Sequence, residues 1–179
     1  MCHFITLIAP TEDADAVRVV MKRHGRAADP IDNPSVRKVL RDGERQYLTT
    51  PGHCDCGTVL APRHDTPEAF ERKLANEATR LRRKGWSEGK IARAMDDMRE
   101  ADARPSGGGS DSLELWNAAL RDLNKELKLP YAGLLVRLYS GVVATEAFKA
   151  SRREVATRSQ WQDALSSIEH DEVTVFPLN

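Results

Sequence analysis

The soft donors of this chain fall in two short places. Cys2 and His3 stand at its start, and His53, Cys54, Asp55 and Cys56 follow Pro51 and Gly52. Together these segments hold all three cysteines and two of the five histidines. Thiolate and imidazole are the donors that Zn²⁺ and similar ions take. If the two segments meet in the fold, Cys2, Cys54 and Cys56 with one imidazole, from His3, His53 or His64, make a closed tetrahedral set of the structural zinc type. With one position left to water, the same ion would be catalytic. The Cys-x-Cys spacing serves this less readily than Cys-x-x-Cys, whose turn aims both sulfurs at one ion.

Two other readings compete for the same residues. Free cysteine packs as a small hydrophobe, and in a half-buried strand Cys54 and Cys56 would share one face. His53 and Asp55 would then be solvated residues near a hairpin turn. The third reading is thiol chemistry, with His53 or His3 as acid–base. Neighbours on a strand point to opposite faces, so the activating contact must be long-range. A Cys54–Cys56 disulfide would be strained and labile. Were Met1 removed, the new amine could serve as base for the Cys2 thiol. In that single residue the chain resembles the N-terminal-nucleophile amidohydrolases.

The elements that must position these residues follow from periodicity. Phe4 to Ile8 is a short apolar run and predicts a buried strand. Thr11 is placed to cap a helix whose first turn carries Glu12, Asp13 and Asp15, with Val17, Val20 and Met21 inward and a stop at Gly25. Ser35 to Leu40 has room for one helical turn between broken stretches. Glu44 to Thr50 and His53 to Leu60 flank Pro51-Gly52 as a hairpin, whose second arm carries the Cys-x-Cys. Thr66-Pro67-Glu68 opens a helix through Phe70, Leu74, Ala78 and Leu81. Ser87 is placed to cap the next, with Ile91, Ala94, Met95 and Met98 on one face.

Residues 105–111 are Gly/Ser-rich and predict a loop. Leu113, Trp116, Leu120, Leu123 and Leu127 mark an amphipathic helix that ends before Pro130. Leu134 to Tyr139 predicts a central strand, Gly141 to Lys149 a second strand returning on it, and Val173 to Phe176 a last one. Ser159 and Gln162 fit a capping box. This order predicts an α+β fold, a largely antiparallel sheet with helices packed on one face, as a single domain over residues 1–179. The Gly/Ser-rich loop is the one place that could divide it, into lobes 1–104 and 112–179.

Composition narrows the function classes. Twenty-seven basic residues balance twenty-seven acidic ones, so no global field draws nucleic acid or an anionic membrane. No apolar run approaches the ~20 residues of a membrane span. The N-terminus reads as a strand entering a helix cap, not as a signal peptide, which predicts a cytoplasmic protein with reduced thiols.

Arg80 to Ala92 is similar to the stretch that enters a recognition helix in helix-turn-helix DNA-binding proteins, but Asp96, Asp97 and Glu100 would repel phosphate. Ser87-Glu88-Gly89-Lys90 is similar to the Ser-x-x-Lys signature of penicillin-binding enzymes, without a companion motif. The expectation is a non-enzymatic binding or regulatory protein, such as a neutraliser of a partner enzyme. It would have a protein partner and carry zinc if the cysteines are filled. The alternatives are a thiol- or zinc-dependent enzyme built on Cys2, His53, Cys54 and Cys56, and a helix-turn-helix-like nucleic-acid regulator.

Overall fold

A computed structural model describes residues 2–61, 67–103 and 111–178. The elements run β1 (Cys2–Ala9), α1 (Ala14–Arg23), β2 (Asp29–Ile31), α2 (Pro34–Arg37), β3 (Arg45–Leu48), α3 (Pro67–Arg83), α4 (Glu88–Ala103), α5 (Leu113–Leu127), β4 (Tyr131–Tyr139), β5 (Ser151–Glu154), α6 (Trp161–Ser166) and β6 (Glu172–Pro177). The strands form one sheet in the order β2-β3-β1-β4-β6-β5. Every pairing is antiparallel except β5 with β6. The fold is α+β, as the sequence predicts.

The chain divides into two compact units, residues 1–62 with 108–179, and residues 63–107. The larger unit holds the whole sheet, in which the strands from before and after the Gly/Ser-rich stretch form two halves that meet at β1 and β4. The smaller unit is the α3–α4 hairpin, with Leu74, Ala78, Leu81, Ile91 and Met95 in its own core. Its turn uses Gly85 at φ +77°, a left-handed conformation that glycine adopts freely.

The longer helices of the larger unit cover one face of the sheet. Ile5 and Leu7 of β1 and Leu134 and Val136 of β4 meet Val17 and Met21 of α1, Trp116, Leu120 and Leu123 of α5, and Trp161 and Leu165 of α6. Each such fully buried Leu or Ile contributes about 1.5–3 kcal/mol. The opposite face buries Ile8, Leu135, Val173 and Val175 under Val36 of α2. On that side β1, β4 and β6 draw close at Gly133, where an added Cβ would lie 3.0 Å from Val173 Cγ1 and 3.2 Å from Ile8 Cβ. Among the described residues no helix is long and apolar enough to cross a membrane.

Four local expectations are corrected. Helix α1 is capped by Asp13, whose Oδ1 accepts from Ala16 N–H, while Thr11 Oγ1 accepts from Asp13 N–H. The capping box is Thr157 with Gln160, not Ser159 with Gln162, and opens a short 3₁₀ turn before α6. Residues 141–149 form no strand. Glu146 folds back to accept from Ser140 and Gly141 N–H, and the Asn33 side-chain amide donates to the Val143 and Glu146 carbonyls. The backbone groups a strand would pair are thereby engaged, and the next strand is β5. Finally, the arm from His53 to Leu60 is a loop, for a reason found at the site itself.

Candidate metal centre

Strand β1 pairs with β3 only from Thr6 onward. Toward Cys2, the loop after β3 takes over that edge. Thr49 N–H donates to Ile5 O at 2.9 Å and Asp55 N–H to His3 O at 2.8 Å. Ile5 N–H donates to Asp55 Oδ2 at 2.8 Å, and His3 N–H to Cys56 Sγ at 3.2 Å. A carboxylate and a sulfur thus stand where a partner strand would offer carbonyls, and an extended second hairpin arm is displaced.

Asp55 is the centre of this loop and is fully buried. The expectation of a solvated residue is wrong, because its charge is met inside the fold. Its Oδ1 pairs with Arg26, itself buried, and its Oδ2 also accepts the Thr50 hydroxyl. The Arg26 guanidinium lies 4.8 Å from the Trp116 ring centroid. A carboxylate in the core is tolerated only with such partners. Gly57 at φ +83° then turns the chain, and the Thr58 hydroxyl donates to Asp55 O at 2.8 Å.

With Asp55 turned inward, its two neighbours converge on the start of β1. The sulfurs of Cys2, Cys54 and Cys56 all lie within 4.8 Å of one another, and all three residues are half-buried. A zinc ion with bonds of about 2.3 Å to sulfur sets tetrahedral sulfur–sulfur edges of about 3.8 Å. A contraction of about 1 Å at most therefore brings the trio to that size.

His3 adjoins the trio without belonging to it. Its Nδ1 lies 3.7 Å from Cys56 Sγ, close to the ~3.6 Å nitrogen–sulfur edge of a zinc tetrahedron. His53 is exposed and outside the trio, and His64 lies outside the described residues. His170, which the sequence did not single out, comes beside His3 with ring centroids 4.9 Å apart. The backbone bridge between His170 and Val136 of β4 places it there, and nothing local in the sequence signals it.

Burial pushes the Cys56 thiol up to about 11, with the neighbouring Cys54 and Cys2 adding to the rise and the His3 N–H opposing it. Burial, with Cys54 beside it, also raises Cys2. A thiol kept protonated is a poor nucleophile at neutral pH. A cation reverses the balance, because it binds the thiolates and releases their protons. The backbone N–H on Cys56 suits that state too, since a metal-bound sulfur is steadied by a donor from its surroundings. The three cysteines lie close enough to hold a metal ion. No family model matches this chain, and no curated protein or solved structure matches it.

Proposed function

We propose that this chain is a zinc protein that works by binding a partner protein, with one Zn²⁺ held by Cys2, Cys54, Cys56 and the His3 imidazole. The observation that carries this reading is the convergence of three thiols from distant segments around a backbone N–H donor. Soft sulfur donors favour zinc over hard cations. A three-sulfur, one-nitrogen set closes the coordination shell, as structural zinc requires. The ion would crosslink the first residues of β1 to the loop that follows β3. Such a crosslink serves a fixed binding surface rather than turnover.

The test is metal content of protein purified without added metal, with thiols counted before and after chelation. Zinc near one per chain, and three thiols released by the chelator, support the reading. Metal-free protein whose thiols all react at once overturns it. A second reading is an enzyme with water in the fourth position. The half-buried sulfurs and the imidazole of His170 beside His3 favour it. In Co²⁺-substituted protein, a His3→Ala change that leaves the absorption spectrum unaltered would select this second reading.

A further inference from the structure

The cysteine loop belongs to a closed circuit of side chains that reaches the stem of the α3–α4 insertion. Starting from Asp55, the circuit runs to Arg26, whose guanidinium lies over the Trp116 ring at 4.8 Å. The Trp116 indole N–H donates to Asp111 Oδ1 at 3.0 Å. The other oxygen of Asp111 accepts the Val59 N–H at 2.7 Å. Val59 lies in the same loop as Asp55, so the circuit closes on itself. Asp111 and Val59 flank the two points at which the chain leaves the larger unit after residue 62 and returns at residue 108.

We propose that Asp55 and Arg26 are the positioning residues of the cysteine site, and that ion binding there is coupled through Trp116 and Asp111 to the stem at Val59. This rests on the metal-binding reading above. Cys54 and Cys56 flank Asp55 on either side, so the direction of that carboxylate fixes where both sulfurs arrive. Each oxygen of Asp55 is committed, one to Arg26 and one to Ile5 N–H and Thr50. The loop therefore has one way to sit on β1. An ion that draws Cys2, Cys54 and Cys56 together strengthens the same arrangement from the outside. Groups that hold and orient metal ligands in this way, without touching the ion, are usual around zinc sites.

The experiment titrates Zn²⁺ against a competing chromophoric chelator and follows hydrogen exchange at the Val59 amide. Four proteins are compared: wild type, Asp55→Asn, Arg26→Met, and the double variant Asp55→Asn/Arg26→Met. The double variant removes both charges of the buried pair. It recovers the stability that either single change loses, because no uncompensated charge is left in the core. Zinc affinity falls about 10- to 100-fold in Asp55→Asn and stays low in the double variant. Zinc slows exchange of the Val59 amide in wild type and does so no longer in the double variant.

Zinc affinity that returns to wild type along with stability in the double variant overturns the proposal, since the pair would then act only through the fold. Val59 exchange indifferent to zinc in wild type overturns the coupling. A wild type that binds no zinc defeats the metal reading itself, a result distinct from either.

Discussion

Among the described residues, two carboxylates are fully buried against arginines, and one of them, Asp55, stands among reactive groups. Glu44 receives both Nη atoms of Arg152, at 2.8 and 2.9 Å, and the Arg41 N–H at 2.7 Å. Burial alone would raise its pKa, but Arg152 and the Arg41 N–H hold the carboxyl below the usual range. The cluster around it is made of oxygen and guanidinium groups, with Glu154 on Arg152 and Arg41. It fastens the start of β3 to β5. Asp55 has a different distribution of partners. One oxygen takes an arginine, the other completes the edge of β1, and a cysteine lies on each side. A buried ion pair is therefore no sign of chemistry by itself. What its neighbours can donate decides between scaffold and site.

The sharpest break in that comparison comes from the sulfurs. Cys56→Ala or Cys54→Ala is expected to abolish stoichiometric zinc binding and the rise in melting temperature that zinc gives wild type, as read by metal analysis and calorimetry. Next come the two carboxylates. Asp55→Ala leaves the buried Arg26 without its carboxylate and is expected to cost about 3–5 kcal/mol in urea unfolding, whereas Glu44→Ala is expected to cost less, because the half-buried Arg152 keeps Glu154. Only Asp55→Ala should weaken zinc affinity as well. A Glu44→Ala protein with impaired zinc binding would erase the distinction drawn here.

A third carboxylate extends the comparison toward the surface. Burial would raise Glu146, but Arg137, the N–H groups of Ser140 and Gly141 and the Ser140 hydroxyl hold it down to about 2. A carboxyl depressed on folding stabilises the protein above its unfolded value near 4.5. That contribution disappears as pH falls through about 2. The melting temperature of Glu146→Gln should therefore lie below wild type at pH 6, with the gap closing between pH 4.5 and 2. The smallest effect belongs to His53. It is exposed and outside the trio, so His53→Ala should leave zinc affinity unchanged and stability within ~0.5 kcal/mol.

Much of this architecture is legible in the chain. The apolar runs at Phe4–Ile8 and Leu134–Tyr139 become β1 and β4, the two central strands, because such runs bury on both faces of a sheet. The heptad-like row from Leu113 to Leu127 becomes α5. The grouping of Cys2, Cys54 and Cys56 is also legible, though by the wrong route. An extended strand would have put both sulfurs on one face, whereas an inward-turned aspartate does so in a loop. That turn cannot be read locally, since Asp after a Pro-Gly pair signals solvent and its partner Arg26 sits in a stretch without periodicity. His170 is hidden for the same reason, as only the pairing of β4 brings it to His3. The chain holds a second, equal capping-box spacing, Thr157 with Gln160, beside the expected Ser159 with Gln162. Thr157, extended at φ −145°, takes the role that Ser159 also fits.

The sulfur that accepts the His3 N–H has a consequence for solubility. An open strand edge is a template on which another chain can add. Along the first residues of β1 that edge is sealed by Asp55 and Cys56, neither of which is part of a strand. Oxidising or alkylating Cys56 takes away one seal and loosens the loop that carries the other. The exposed N–H of His3 would then invite a second molecule, and the damaged protein would leave solution as a β-paired aggregate before it lost its helices.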